Sequence, residues 1–136
     1  MFVYFIKYFG FLKDIPLLAQ LFEGWLKLST FFTAPQVLNS MDEIEAEVIK
    51  WEKISVCNHK YGGIQFNKNS HEIGHIHGNG LLDIPFNKKL KYQFMQEGLK
   101  DHHTIKNSGW SSFYITTKED KDFALKLLRE SYLMRR

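Results

Sequence analysis

The chain has 136 residues, 44% hydrophobic and 24% charged, which is enough for one domain with a buried core and too few for a two-domain enzyme. With 18 Lys and Arg against 15 Asp and Glu, the formal charge is only +3, so a phosphate-coating role has little to draw on and nucleic acid is not an expected partner. A single cysteine, Cys57, excludes an internal disulfide and a paired-thiol motif, and points to a reducing, cytoplasmic compartment.

Residues 1–34 are rich in Phe, Tyr, Leu and Trp, yet Lys7, Lys13, Asp14, Glu23 and Lys27 interrupt every window of about 20 apolar residues that a spanning helix would need. A secretory signal is not expected either, because no unbroken apolar stretch ends in small residues. Asp14 can cap the next turn and Pro16 tolerates a first-turn position, which predicts a helix from near Ile15. Leu17, Leu21 and Leu28, flanked by Leu18, Phe22 and Trp25, then form a wide apolar stripe. That stripe needs cover, from the chain's own sheet, from a second copy in a homo-oligomer, or from a lipid surface on which the segment would dock peripherally.

A second unit is expected over residues 35–136. Ser40 and Glu43 have capping-box spacing, so a helix is placed after them with Ile44, Val48 and Trp51 on its buried face. Ile54, Val56, Ile64 and Phe66, around Tyr61-Gly62-Gly63, predict two antiparallel strands, and Glu72 to His77 a third. Pro85 precedes Phe86, Leu90 and Phe94 at helical spacing, with Gly98 as the terminator, and residues 101–109 read as loop. A fourth strand covers Ser111 to Thr116, and a second capping box, Thr116 with Glu119, opens a last helix burying Phe123, Ala124, Leu127 and Leu128. The order predicts an α+β fold, with a small antiparallel sheet of about four strands, helices packed mainly on one face, and an N-terminal helical segment.

Chemistry concentrates in the histidines. In an extended strand His75 and His77 point the same way while Gly74 and Ile76 point the other, and the same alternation turns Glu72 away from both, toward an outer salt bridge. Such an H-x-H pair can hold zinc, iron or copper, but a third ligand would have to come from His102 or His103 across the fold, so no residue is assigned to a metal. Trp110, Ser112 and Tyr114 share one side of the fourth strand and supply an indole, a hydroxyl and a phenol, a surface on which a small aromatic or enolic molecule can stack while an imidazole moves its proton. Cys57, in an apolar strand, reads as a buried inert thiol, and Lys88, Lys89 and Lys91 as a solvated helix face. P-loop, dinucleotide-binding, nucleophile-elbow and H-E-x-x-H signatures are missing.

Tyr61-Gly62-Gly63-Ile64, Glu72-Ile73-Gly74-His75-Ile76-His77-Gly78, Leu82-Asp83-Ile84-Pro85-Phe86, His102-His103, Ser108-Gly109-Trp110-Ser111-Ser112-Phe113-Tyr114 and the closing Ala124 to Tyr132 run resemble the luciferase-domain family over about residues 40 to 133. That family groups small bacterial proteins with the fungal luciferases, which oxidise a hydroxylated styryl-pyrone with molecular oxygen and need no flavin or nicotinamide. The resemblance implies an oxygen-using oxidoreductase of the monooxygenase kind. It implies that His75, His77 or His103 deprotonates an acidic enol, that Trp110 and Tyr114 pack its ring, and that molecular oxygen is the co-substrate, and His102 and Ser112 beside them are expected to contact the same molecule. The chain is shorter than the fungal members and its N-terminal segment is interrupted by charge, so light emission is not implied. The alternative is a non-catalytic module that binds a ligand, a protein or nucleic acid through the same sheet face.

Overall fold

The computed structural model describes residues 15–102 and 108–135. Helix α1 (Pro16–Thr33) carries its proline in the first turn, where the missing N–H costs nothing. The expected cap, Asp14, lies outside the described residues. Pro35 disfavours helical dihedrals at Ala34, whose φ of −153° breaks the chain between α1 and α2 (Pro35–Val48). Helix α2 therefore starts five residues ahead of the expected capping box. Ser40 is inside it and donates its hydroxyl to the Gln36 carbonyl at 3.0 Å. Val37, Met41, Ile44 and Val48 form the buried stripe.

The sheet is antiparallel and has six strands, β1 (Ile54–Asn58), β2 (Ile64–Lys68), β3 (His71–Ile76), β4 (Leu81–Pro85), β5 (Lys100–Asp101) and β6 (Trp110–Tyr114), in the order β1-β2-β3-β4-β6-β5. The α+β class stands, but the expected four strands become six. Strand β4 was hidden because Leu81-Leu82-Asp83-Ile84 is apolar on both sides of a central strand and does not alternate visibly. The two-residue β5 lies in the stretch expected to be loop. Between them, α3 (Lys88–Met95) is capped by Asn87, which accepts from the Leu90 amide at 2.9 Å. Gly98, at φ +111°, turns the chain after it.

Helix α4 (Asp120–Met134) is also capped differently from expectation. The Glu119 side chain makes no cap bond. Instead Asp120 accepts from the Thr116 amide, the Thr116 hydroxyl and the Thr117 amide at 2.8 to 2.9 Å. Helices α2 and α4 pack on one sheet face, where Val37, Met41, Ile44, Leu127 and Leu128 meet Phe66, Ile76, Leu82 and Ile84. Phe86, Phe94 and Phe123 extend this core toward α3.

Helix α1 runs past the β1–β2 and β3–β4 turns. A Cβ on Gly62 would meet Glu23 Cβ at 2.9 Å, and one on Gly78 would collide with Lys27 Cγ and meet Lys27 N at 3.0 Å, so the absence of side chains there lets the helix sit down. Ala19, Glu23, Leu26 and Thr30 are buried by this contact, whereas Leu17, Leu21, Trp25, Leu28, Phe31 and Phe32 stay exposed. Among the described residues no helix is long and apolar enough to cross a membrane.

Candidate functional site

The register of the sheet builds the site. Cys57 pairs with Gln65, Gln65 with His75, His75 with Asp83, Asp83 with Ser112, and Ser112 with Lys100, a single polar row crossing all six strands on the face away from α2 and α4. His77 stands two residues beyond His75, His102 two beyond Lys100, and Trp110 two before Ser112, so alternation carries all three to the same face.

Asp83 is at the centre, 0% exposed. Its Oδ2 faces three imidazole nitrogens, Nε2 of His75 at 3.5 Å, of His77 at 3.6 Å and of His102 at 3.5 Å. Its Oδ1 accepts the Ser112 hydroxyl, a bond that fixes the carboxylate plane. Each of two rings is held from behind by an acid. His75 Nδ1 lies 2.6 Å from Glu72 Oε1, and His77 Nδ1 lies 3.4 Å from Oε2 of Glu23 on α1, whose other oxygen, Oε1, accepts the Gly78 amide. His59 stacks flat on His75 with centroids 3.7 Å apart and planes 9° off parallel. Trp110 is tilted 51° to the His75 ring at 5.7 Å and meets His102 edge-on at 6.2 Å.

The Glu72 contact corrects the expectation from alternation. Phe66 pairs with Gly74 but the next residue, Asn67, pairs with Glu72, so Ile73 is an extra residue in β3. The bulge reverses the pleat below it. Ile73 joins the core and Glu72 comes round to the face of His75.

Burial and neighbours set the protonation of the cluster. Desolvation pushes His77 down, but the carboxylates of Asp83 and Glu23 outweigh it and raise its pKa to about 9. Burial likewise opposes the charged form of His75, and Asp83 and Glu72 overcome it in the same direction. His59 shifts the other way. Desolvation, then the adjacent His75, push it down to about 4, although the Glu72 charge raises it. Burial and then the Asp83 charge raise the Tyr114 phenol.

The expected residues are thus mostly gathered. His75, His77, His102 and Trp110 converge, and Tyr114, 40% exposed, borders them on the solvent side. Ser112 is buried and its hydroxyl is engaged by Asp83. His103 lies outside the described residues. Asp83, His59 and Glu23 were missed. A carboxylate inside the apolar run Leu81–Ile84 was the available signal for Asp83, and one interrupting the α1 stripe was the signal for Glu23.

Two further expectations change. Cys57 is exposed, because β1 is an edge strand, and its sulfur accepts from Asn67 at 3.4 Å. Lys91 is buried rather than solvated, donating to the carbonyls of Ser108 at 2.7 Å and Trp110 at 3.0 Å and pairing with Asp101, so it anchors the start of β6.

Neither a curated protein nor a solved structure matches the chain. A family model, the Luciferase domain, matches residues 70–131, the segment that carries His75, His77, Asp83, His102 and Trp110, while the Tyr61 to Ile64 motif quoted for the resemblance lies ahead of the match.

Proposed function

We propose that the protein is an oxygen-using oxidoreductase acting on a small enolic or phenolic molecule at the face of His75, His77, His102, Trp110 and Tyr114. The observation that carries this reading is the convergence of three imidazole nitrogens on one buried carboxylate, beside an indole and a phenol, within the segment that matches the Luciferase domain. The aromatic rings give the substrate a stacking surface, and the polar cluster receives its acidic hydroxyl.

The chemistry balances without an external reductant. The cluster accepts the enol proton, and the electron pair left on the substrate passes to dioxygen. One C–O bond forms, the O–O double bond becomes a peroxide single bond, and the proton returns to the outer oxygen. Substrate plus dioxygen becomes a hydroperoxide. Partial burial at Trp110 limits the water that would compete for the anion.

The test is oxygen uptake by the purified chain over a panel of enolic and catecholic compounds, repeated with His77→Ala and Trp110→Ala. Uptake with at least one compound is expected, lost in His77→Ala and weakened mainly through KM in Trp110→Ala. Absence of uptake across the panel, or uptake that survives both substitutions, overturns the reading.

A further inference from the structure

We infer that His75, His77, His102 and Asp83 form a binding site for one divalent first-row transition-metal ion. The inference goes beyond the oxygen chemistry proposed above and holds whether or not that chemistry occurs.

Three features of the cluster carry it. The first is separation. One donor atom each from His75, His77 and Asp83 lies within 4.8 Å of the others, and the three Nε2 atoms stand 3.5, 3.6 and 3.5 Å from one Asp83 oxygen. Donors bound to a common ion at about 2.0–2.2 Å sit roughly 3.0–3.6 Å apart, by the angles of tetrahedral and octahedral coordination. The separations from Asp83 already lie in that range, and His75, His77 and Asp83 form a compact three-donor core that His102, itself 3.5 Å from Asp83, closes by moving toward the other two histidines.

The second feature is the outer partners. A metal-ligating histidine donates its other ring N–H to a carboxylate or carbonyl, which fixes the ring orientation and aims the inward nitrogen, whose proton the ion displaces. His75 and His77 both have this arrangement, toward Glu72 and Glu23. The Asp83 carboxylate is oriented in the same way by Ser112. The three Nε2 atoms converge on the Asp83 carboxylate, where an ion would replace ring protons as its charge partner.

The third feature is chemical. Three imidazoles and a carboxylate are borderline donors that suit iron, cobalt or zinc, whereas calcium and magnesium prefer oxygen alone. Glu72 and Glu23 add negative charge around a site buried to within a few per cent of full occlusion, and a doubly charged cation compensates it. Four protein donors leave one or two positions on a five- or six-coordinate ion for an incoming molecule.

The experiment uses the full chain, stripped with a chelator and shown by circular dichroism to remain folded, then titrated with cobalt(II) and followed by visible absorption and calorimetry without any organic substrate. One cobalt per chain is expected, displaced by one equivalent of zinc(II). His102→Ala and Asp83→Asn should each weaken binding by more than tenfold, Glu72→Gln by about 10- to 100-fold, and His71→Ala, an exposed histidine on the same strand, should leave it unchanged. Failure of the wild-type chain to bind cobalt more tightly than about 1 mM overturns the inference, as does binding that persists in a folded His102→Ala chain or that His71→Ala abolishes. Because the readout needs neither oxygen nor substrate, a negative oxygen-uptake screen leaves it standing, and a chain that consumes oxygen without binding cobalt refutes the metal alone.

Discussion

Removing the carboxylate of Glu23 tests how firmly α1 is fastened to the site. Glu23 is 5% exposed, accepts the Gly78 amide and reaches His77 Nδ1 at 3.4 Å. A hydrogen bond to a charged acceptor contributes about 1.5–3 kcal/mol, and a buried amide left without an acceptor costs about 1–3 kcal/mol more. Part of that second cost is relieved if α1 lifts and water enters, so Glu23→Ala is expected to destabilise the fold by about 2–4 kcal/mol. Glu23→Gln keeps an acceptor for the amide and should lose roughly half as much. The assay is urea denaturation combined with hydrogen exchange at the Gly78 amide, whose protection should fall with the global value or further. Leu21→Ala is the control. It lies on the same helix but is 61% exposed, and its effect should stay within about 0.5 kcal/mol. A Glu23→Ala chain within about 0.5 kcal/mol of wild type, or one whose Gly78 amide exchanges no faster, would show that the helix is held by its apolar contacts alone.

Other consequences can be checked independently. Phe94 is 1% exposed among Phe86 and Phe123, and Phe94→Ala should cost about 3–5 kcal/mol in a denaturant titration. Gly80, at φ +81°, has the Ile115 carbonyl oxygen and Val37 Cγ1 both 2.6 Å from where a Cβ would be, whereas Gly98, at φ +111°, faces open space. Gly98→Ala is expected to cost about 1–2 kcal/mol from backbone strain alone, and Gly80→Ala clearly more, in parallel thermal melts. Burial tends to raise the Asp120 carboxyl, but the Thr116 and Thr117 amides and hydroxyls that it accepts hold it below its ordinary 3.8. Its folded pKa being the lower one, the stabilisation is complete above the unfolded value and is lost as pH falls below 3.8 through the folded value. Asp120→Ala should cost about 1 kcal/mol at neutral pH and make stability less sensitive to acid in that window, measured by melts across the acid range.

The parts of this molecule that follow from local rules were legible in the sequence. Side-chain alternation put His75 and His77 together and set Trp110, Ser112 and Tyr114 on one side of β6, and helical periodicity found Ala124, Leu127 and Leu128 in α4, but in α3 only Phe94 is fully buried with Lys91 beside it, Leu90 is half-buried and Phe86 lies ahead of the helix. Two capping boxes misled, because Ser40 and Glu43 have the right spacing but Pro35 had already started the helix, and because Asp120 competes with Glu119 for the amides near Thr116. The rest depends on pairings distant in the chain. His59 meets His75 only after β1, β2 and β3 have aligned, and Glu23 meets His77 only after α1 has crossed two turns. Asp83 was visible as a residue type out of place in an apolar strand, but its partners are supplied by β3, β6 and the residue after β5.

The extra residue at Ile73 means that part of this site is written in the length of the chain rather than in its letters. Were β3 to run regularly through Ile73, pairing it with Asn67, Glu72 would turn toward the helices and His75 would lose the oxygen behind it, although every side chain named in the cluster would still be present. A relative one residue shorter between Asn67 and His75 would need no bulge to keep its acid behind the imidazole, since a residue two before His75 in a regular strand already shares its face, so spacing and bulge have to be compared together.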